Sequence, residues 1–371
     1  MVHEKGHAAP ARSGRVGRRG FDLVDDSPAA RAALQGAGRG LERRRGRVLR
    51  PGLVPARPSR VTGIDVVIPT WNGRELLEGC LESLAQQTVE HHVIVADNGS
   101  ADGTAKLIRD RFPAVDVVEL DRNYGFAGGV NRGVERGEAP VVVLVNNDVE
   151  CDAVFVERIA APLADVRVGM VTGLLLRPGR TEIDNYGLEC DATLAAYPRF
   201  AGAPYPETRV DDENLLGPSG GAAAYRRDAL AAAGGFDERM FAYMEDVDLA
   251  LRLRADGWLA TGAPEATGIH LGSATIGHRS RRQVEIAGAS RAYMLRKYGV
   301  LGHGVTTAGW ALAVEAGVTV METVTGRDLA APRGRLRGWK EAEGARRRVP
   351  EGAINPELGF RESLRRRAAV R

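Results

Sequence analysis

Carboxylate and amide side chains follow several of the β-branched runs of this 371-residue chain. Asp97 ends the run HHVIVAD, and Asn146-Asn147-Asp148 follows the apolar run VVVLV. A carboxylate at a strand end can accept hydrogen bonds from a ribose or from a base N–H, and Asp is a hard oxygen ligand for Mg²⁺ or Mn²⁺. The structural alternative for Asn-Asn-Asp is an Asx turn that closes the strand.

A second acidic cluster stands at the start of a predicted helix over residues 245–255. Glu245, Asp246 and Asp248 lie there, directly after the apolar segment FAYM. Acidic residues in a first helical turn are favoured by the helix dipole alone. A general base also needs a carboxylate that is positioned and partly desolvated. Because FAYM is apolar, Glu245 or Asp246 could lie at the floor of a cleft and serve as that base.

Two more residues allow both a functional and a structural interpretation. His270 ends another predicted strand. A lone His is more often a packed or solvated residue, but near a bound metal it would fit as an imidazole ligand. Asp102 either contacts a ligand or caps the helix predicted over residues 102–111.

Glycines with flanking amides occur at two places. The segment NYGFAGGVNRG brings Asn123, Gly128 and Asn131 to the start of a predicted helix, where glycines and helix N–H groups suit a diphosphate. Its spacing is not GxGxxG, which argues against a dinucleotide-dependent oxidoreductase. The segment GPSGG, residues 217–221, allows backbone to approach a sugar or forms a tight turn.

The elements that must position these residues alternate along the first half of the chain. Strands are predicted at IDVVIP, HHVIVAD, AVDVVEL and APVVVLVN, and helices at residues 74–87, 102–111 and 128–136. Such alternation is typical of βαβ units, hence of an α/β fold with a mostly parallel central sheet and helices on both faces. Ligands of such sheets bind at the carboxyl ends of the strands. Beyond, we predict a strand at VGMVTGLLL, a loop-rich region with short strands at 177–215, and a helix over 281–298.

Charge divides the chain into an acidic body and two basic ends. The net charge is +3, but residues 1–60 hold 14 Lys/Arg against 5 Asp/Glu, and residues 333–371 hold 12 against 5. Such ends either are solvated tails or rest on an anionic surface such as phospholipid headgroups. The overall balance gives no support to nucleic-acid binding.

We therefore predict four parts along the chain: a disordered basic extension over residues 1–60, a catalytic domain over 61–300, an apolar or amphipathic helical segment over 301–332 and a basic tail over 333–371. The segment from Val305 to Val324 is apolar but interrupted by Glu315, so it reads as a core helix or one at a membrane interface rather than a span. Three cysteines without a CxxC pair and a first segment without an apolar signal region favour the cytoplasm.

Six segments in order resemble the inverting family 2 glycosyltransferases, in particular the rhamnosyltransferase-like branch. They are PTWNG, DNGSADGT, NYGFAGGVNRG, NND, GPSGGAAAYRR and GGFDERMFAYMEDVDLALRLRADGW, within about Ile64 to Tyr298. The resemblance implies a GT-A fold, a nucleotide-diphosphate-sugar donor and a divalent cation, Mg²⁺ or Mn²⁺. It also implies an acceptor that is a growing polysaccharide or a lipid-linked glycan at the inner membrane face.

The resemblance also assigns roles to residues. The nucleoside would be held by Pro69, Thr70, Asn72, Asp97 and Asp102, and the rest of the donor by Asn123, Gly128, Asn131 and Asn147. Asp148 would be the last Asp of the DxD motif and His270 the second metal contact, while Asp246 would be the general base and Glu245 its replacement. Because the DxD position reads Asn146-Asn147-Asp148, one carboxylate is available there and metal binding would lean on the diphosphate and His270.

These residues predict inverting transfer of a sugar, with dTDP-rhamnose as the favoured donor. The alternatives are a transferase that uses a UDP-sugar, such as galactofuranose or N-acetylglucosamine, and a non-catalytic nucleotide-sugar binder. A nucleotidyltransferase is a further competitor. It should carry a basic Gly-rich loop after the first strand, whereas PTWNG has no basic residue before Arg74.

Overall fold

A computed structural model describes residues 63–272 and 280–369 of the chain. The extension predicted as disordered, residues 1–60, lies outside the described residues. Residues 330–369, most of the segment predicted as a basic tail, form two helices that pack on the rest of the chain: the rings of Trp310 and Phe360 meet edge to face, and the Tyr197 and Ser363 hydroxyls lie 2.6 Å apart.

One nine-stranded sheet forms the centre of the described chain, and a two-stranded sheet, β8–β9, accompanies it. The strands are β1 (Ile64–Thr70), β2 (His92–Asp97), β3 (Asp116–Glu119), β4 (Val141–Val145), β5 (Val149–Cys151), β6 (Val168–Leu176), β7 (Ile183–Asn185), β8 (Leu188–Cys190), β9 (Ala196–Pro198), β10 (Ala222–Arg226) and β11 (Leu259–His270). The order is β3-β2-β1-β4-β10-β6-β11-β5, with β7 on β6. Strands β1, β2, β3, β4, β6 and β11 run in one direction and β5, β7 and β10 in the other. The predicted α/β fold with a mostly parallel sheet is confirmed.

Helices cover both faces of the sheet. They are α1 (Arg74–Leu84), α2 (Thr104–Arg111), α3 (Gly125–Arg136), α4 (Phe155–Ala160), α5 (Arg227–Ala233), α6 (Glu245–Ala255), α7 (Arg281–Lys297), α8 (Val305–Gly326), α9 (Ala330–Glu341) and α10 (Phe360–Ala369). Successive side chains of β1 alternate between two cores: Val67 packs with residues of α3, α6 and α7, whereas Val66 and Ile68 pack with residues of α1, α2 and α4. This alternation is what a strand buried on both faces requires.

The strands bring the polar turns to one edge. Thr70 at the end of β1 pairs with Asp97 at the end of β2, and β4 runs parallel to β1 on its other side. On the far half of the sheet His270 pairs with Val149, and the Leu271 N–H donates to the carbonyl of Asp148 at 2.9 Å. The carboxyl ends of β1, β2, β4 and β11 therefore supply the candidate site.

Several predicted helix bounds differ from those observed. The first helix ends at Leu84 rather than 87, and the second begins at Thr104 rather than 102. The helix predicted from Gly128 begins at Gly125, a glycine whose φ of 78° few other residues adopt. None of the helices in residues 63–272 and 280–369 is long and apolar enough to cross a bilayer.

Candidate active site

Asp148 and His270, the two predicted metal ligands, are in direct contact. The Nε2 atom of His270 lies 3.3 Å from Oδ2 of Asp148, and its Nδ1 lies 2.8 Å from Oδ2 of Asp184. Burial lowers the pKa of His270, but the hydrogen bonds to Asp148 and Asp184 outweigh burial and raise it to about 10. The imidazole therefore lies between two carboxylates, and a metal ion bound at Nε2 would take the place of the proton that the contact with Asp148 holds there.

No pattern in the sequence selects Asp184. It lies on β7, within the region predicted as loop-rich, and reaches the site because β7 pairs with β6 beside β11. A carboxylate on the second ring nitrogen of a metal-binding His fixes the orientation of the ring and raises its basicity. Asp184 thus supports His270, as such a carboxylate does in metal sites.

The contact between Asp148 and His270 suits a divalent cation that shares its ligands with a diphosphate. The Oδ1 atom of Asp148 is buried and has no hydrogen-bond partner. Over residues 63–272 and 280–369, no group of three or more His, Cys, Asp or Glu side chains is arranged to hold a metal ion. A cation at Asp148 and His270 would therefore take further oxygens from phosphate and water, which is how Mg²⁺ is commonly bound.

Glu245 and Asp246 open α6 after a strained turn. Tyr243 and Met244 both have a φ of 68°, a conformation that bulky side chains rarely adopt and that marks functional sites when it occurs. Burial raises the pKa of both carboxyls, and in Glu245 the charge of Asp246 raises it further. The Oε2 atom of Glu245 is buried without a partner. The turn therefore presents two desolvated carboxyl groups, as a general base requires.

The GPSGG segment joins the two acidic clusters. The Gly220 N–H donates to Oδ2 of Asp246 at 3.2 Å, and the carbonyl of Gly221 accepts from the Asn146 N–H at 3.2 Å. A Cβ atom on Gly220 would stand 2.6 Å from the ring of Phe126. Gly220 thus allows a close approach that a side chain would block, and the two glycines together link Asp246 to the loop that carries Asp148.

The loops after β1 and β2 form the predicted nucleoside side of the site. Asp97 is buried, its Oδ1 accepts from the Ser100 N–H at 3.0 Å, and burial raises its pKa. The Asn72 N–H donates to the Ser100 hydroxyl at 2.8 Å, and Oδ1 of Asn72 accepts from the Ala101 N–H at 2.8 Å. These bonds lock the two loops together at the edge of the sheet.

Asp102 is engaged within these loops. Its Oδ1 accepts from the N–H and the hydroxyl of Thr104, at 3.0 and 2.6 Å, and its Oδ2 accepts from the Arg74 N–H at 3.1 Å. Both oxygens thus bind protein groups around the start of α2. The N-cap residue of α2 is Gly103, which makes no side-chain cap bond, so Asp102 forms an Asx turn just before the helix instead of capping it, and its contact with a ligand stays a prediction.

The remaining predicted donor contacts make structural bonds. The amide of Asn147 donates to the Thr70 hydroxyl at 3.0 Å and both residues are buried, as is Pro69, so that they join the ends of β1 and β4. The amide of Asn131 donates to the carbonyl of Phe236 at 2.9 Å and its Oδ1 accepts from the Phe236 N–H, also at 2.9 Å.

The start of α3 contacts the turn that precedes α6. Asn123 accepts from the Gly125 N–H at 2.8 Å, and the Phe126 N–H donates to the carbonyl of Phe241 at 2.7 Å. Gly128 lies in the first turn of α3, where a Cβ would stand 2.7 Å from the Cβ of Tyr124. The Gly-Asn segment thus reaches the same edge, beside the segment that carries Glu245.

Comparison with known proteins shows which proteins this chain resembles. Residues 65–234 match the family described as Glycosyl transferase family 2. The chain is 29% identical over 231 residues to an N-acetylglucosaminyl-diphospho-decaprenol L-rhamnosyltransferase of Mycobacterium tuberculosis (strain CDC 1551 / Oshkosh), covering 56% of this chain and 75% of that protein. It is 30% identical over 246 residues to a validoxylamine A glucosyltransferase of Streptomyces hygroscopicus subsp. jinggangensis (strain 5008), covering 58% of this chain and 57% of that protein.

A solved structure shares the fold. The structure of GalNAc-T7 with UDP, GalNAc and Mn²⁺ aligns with a TM-score of 0.55 at 12% identity, over 84% of this chain and 58% of that one. At this identity the likeness shows the fold alone, which is GT-A. The predicted fold and the predicted family resemblance are therefore confirmed, whereas the roles of the individual site residues stay predictions.

Proposed function

We propose, from the match of residues 65–234 to the family described as Glycosyl transferase family 2, that this chain is an inverting transferase. It moves a sugar from a nucleoside diphosphate donor to a hydroxyl group of a glycan or lipid-linked glycan acceptor. The observation that carries the proposal is the link through Gly220 and Gly221. This link places the desolvated Asp246 beside the loop of Asp148, which contacts His270.

Asp246 acts as the general base of this reaction. It takes the proton of the acceptor hydroxyl while that oxygen forms a bond to the anomeric carbon of the donor sugar. The bond from the anomeric carbon to the diphosphate oxygen breaks on the opposite face, and the nucleoside diphosphate leaves with the bonding electrons. Burial favours this role because a raised carboxyl pKa strengthens the base. The Gly220 N–H, bonded to Oδ2, holds the carboxylate in place.

Asp148 and His270 hold the diphosphate side of the site. A divalent cation bound there would stabilise the negative charge of the leaving diphosphate. The GT-A structure named above contains Mn²⁺, and Mg²⁺ or Mn²⁺ fits the carboxylate and imidazole donors present here. Asp184 keeps His270 oriented, and the loops of Asn72 and Asp97 hold the nucleoside.

The donor that we favour is dTDP-rhamnose, because the mycobacterial relative is named as an L-rhamnosyltransferase. The similarity to a glucosyltransferase keeps UDP-sugars as the alternative donors. The name of the mycobacterial relative also includes a decaprenol-linked acceptor. We therefore place the reaction in the cytoplasm, at the inner face of the cell membrane.

The proposal is tested with a panel of dTDP-, UDP- and GDP-sugars in the presence of Mg²⁺ or Mn²⁺. The readout is the nucleoside diphosphate released with and without a lipid-linked glycan acceptor. We expect one donor to be consumed, and Asp246→Asn to slow its turnover by about 10² to 10⁴ while nucleotide affinity changes by only about threefold. Asp256→Asn, at the exposed end of the same helix, is the matched control and should retain wild-type turnover.

Two results would contradict the proposal. A protein that binds a donor tightly but releases no nucleoside diphosphate with any acceptor is a binder, not a transferase. Near-wild-type turnover by Asp246→Asn would move the general base to another carboxylate, with Glu245 as the first alternative.

A further inference from the structure

The helix α8 exposes an uncharged face to solvent. Val305, Leu312, Val320 and Val324 are exposed, with 91% of Val305 and 71% of Val324 accessible. Small residues fill the same face between them: Gly309, Ala313, Ala316 and Gly317. Together these eight residues, spaced three to four apart or adjacent along the helix, form one side of α8; we call them the apolar face.

The charges of α8 are turned away from this face. Glu315 lies 2.8 Å from Nε of Arg291 and 3.3 Å from Nε of Arg335, and Glu322 lies 3.0 Å from Nη1 of Arg335. Both carboxylates thus fasten α8 to neighbouring helices. Because these ion pairs hold the charged side of α8 against the neighbouring helices, the apolar face on the opposite side of the helix points to solvent.

The neighbouring helix α9 adds aromatic, aliphatic and cationic groups. Arg335 of α9 makes both bonds to α8, while Leu336 and Trp339 are exposed, as are Arg333, Arg337 and Lys340. Residues 333–348 hold 7 Lys/Arg against 2 Asp/Glu. Exposed apolar and aromatic side chains beside cations are the composition of helices that lie in the headgroup region of a bilayer.

A cavity lined by basic residues lies near the start of α8. Its volume is about 430 Å³, and Arg296, Arg346, Arg347 and Trp339 are among its lining residues. Leu301 and Gly302, which also line it, stand just before α8 begins at Val305. The start of the apolar face is therefore close to several guanidinium groups.

We propose that the apolar face of α8, with the basic segment 333–348, is a docking surface for an anionic lipid bilayer. The helix lies flat, with its apolar side chains among the acyl chains and the Lys/Arg side chains at the headgroups. Charge favours a bilayer as the partner of this surface, because anionic lipid complements the net positive charge of segment 333–348. A second copy bound through the same face would instead bring two segments of like charge together.

This surface goes beyond the transfer reaction. It uses none of the residues placed in the candidate active site, and vesicle binding needs neither a donor nor an acceptor. If the reaction proposed above takes place on a lipid-linked glycan, docking would bring the active site to its acceptor. The two proposals can therefore fail separately.

The test is sedimentation of the full-length protein with vesicles of phosphatidylglycerol and phosphatidylcholine, compared with vesicles of phosphatidylcholine alone. We expect binding to the anionic vesicles, and we expect Val320→Asp and Val324→Asp each to weaken it by about tenfold. The double variant Arg346→Glu with Arg347→Glu should also weaken vesicle binding. Its effect should be larger at low salt than at high salt, because salt screens exposed charges. Val166→Asp, another exposed valine at a distant position in the chain, is the matched control and should bind like the wild type.

The basic residues 1–60 could also attract anionic vesicles, and the valine variants distinguish the two sources. Vesicle binding that is unchanged in Val320→Asp and Val324→Asp overturns the proposal, and so does a wild type that binds no vesicles. A wild-type dimer that these variants dissociate, without vesicle binding, would assign the face to a second copy and overturns it too. Release of nucleoside diphosphate is measured on the same variants: its absence from the wild type contradicts the proposed transferase and leaves the docking result standing.

Discussion

At the scale of single residues, Glu245 and Asp246 are adjacent carboxyls with different surroundings. Asp246 accepts hydrogen bonds from the N–H groups of Gly220 and Val247, whereas Oε2 of Glu245 has no partner. Two carboxyls this close do not both ionise readily, because like charges oppose each other at low dielectric. The hydrogen bonds favour the charged form of Asp246, whereas burial and the charge of Asp246 raise the pKa of Glu245 well above its ordinary value, so we expect Glu245 to be the protonated member of the pair.

A substitution at Glu245 tests this division. Glu245→Gln replaces a neutral carboxyl group by a neutral amide of the same shape, so we expect turnover within about fivefold of the wild type. Steady-state kinetics of donor consumption, run beside Asp246→Asn, is the measurement. Should the Glu245 variant lose about 10² or more in turnover while Asp246→Asn stays active, the base is Glu245.

Asp184 is a positioning residue for His270. Asp184→Asn removes the carboxylate that binds Nδ1 of the imidazole at 2.8 Å but retains a side chain of similar shape. We expect the concentration of Mn²⁺ that gives half-maximal turnover to rise by about 10- to 100-fold, as for other carboxylates behind a metal-bound His. Turnover at saturating Mn²⁺ should stay close to that of the wild type, and a purely structural role for Asp184 would leave the Mn²⁺ dependence unchanged.

At the scale of elements, a buried ion network fixes α6 against α7. The ammonium group of Lys297 lies 2.8 Å from Asp237 and 2.5 Å from Asp248, while Asp248 also accepts from Arg252 at 2.7 Å. Lys297 and Asp248 are almost fully buried. Since Asp248 is two residues after Asp246, this network sets the position of the first turn of α6.

We expect Lys297→Met to lower the free energy of unfolding by about 3 kcal/mol, at the low end for a broken buried ion pair, because it removes the cation that Asp237 and Asp248 share while Arg239 and Arg252 still pair with one carboxylate each. Urea unfolding followed by circular dichroism measures the change. Lys106→Met, at an exposed i,i+4 ion pair with Asp110, is the control and should change the same quantity by less than about 1 kcal/mol. Equal effects of the two substitutions would mean that the network does not stabilise the fold.

The sequence was sufficient to locate β1, β2, β3 and β4, because short β-branched runs between helical stretches are a local pattern. Their parallel arrangement then placed Asp97 and the Asp148 loop at one edge. The sequence was not sufficient to place Asp184 in the site, because β7 is three residues long and its position depends on pairing with β6. Nor could a local pattern reveal that β10 enters between β4 and β6 in the opposite direction, which depends on contacts distant in sequence.

The turn that precedes α6 could be predicted from the sequence only in part. The apolar segment FAYM predicted a desolvated position for Glu245 or Asp246, and burial agrees with that prediction. The left-handed conformation of Tyr243 and Met244 carried no signal, because neither is a residue type that favours it. Tertiary contacts impose that turn, among them the bond from the Phe126 N–H to the carbonyl of Phe241.

At the scale of the whole molecule, charge is distributed unevenly along the chain. Residues 61–332 hold 25 Lys/Arg against 38 Asp/Glu, while both ends are basic. The candidate active site lies in the acidic part, whereas the basic segment 333–348 belongs to the proposed docking surface. The chain thus separates a part that would hold an anionic donor from a part that would meet anionic lipid, and an additional cation is proposed for the first part alone.

Thermal unfolding tests whether the site requires that cation. A nucleoside diphosphate is an anion, and the imidazole beside Asp148, that of His270, already contacts two carboxylates. We therefore expect dTDP or UDP to raise the melting temperature clearly with Mn²⁺ present, by an amount equivalent to about 2.7 kcal/mol at a hundredfold excess over the dissociation constant. Without Mn²⁺, or after chelation with EDTA, the rise should be largely lost.

The variant Asp148→Asn tests whether the rise in melting temperature comes from nucleotide bound at the candidate active site. It removes the carboxylate whose Oδ1 is buried without a partner, so the increment that depends on Mn²⁺ should disappear while the unliganded protein still unfolds cooperatively. Asp256→Asn should keep the full increment, because Asp256 is exposed at the far end of α6. If the nucleotide stabilises the wild type equally with Mn²⁺ and with EDTA, the diphosphate is bound by the groups of the chain alone, and Asp148 has another role.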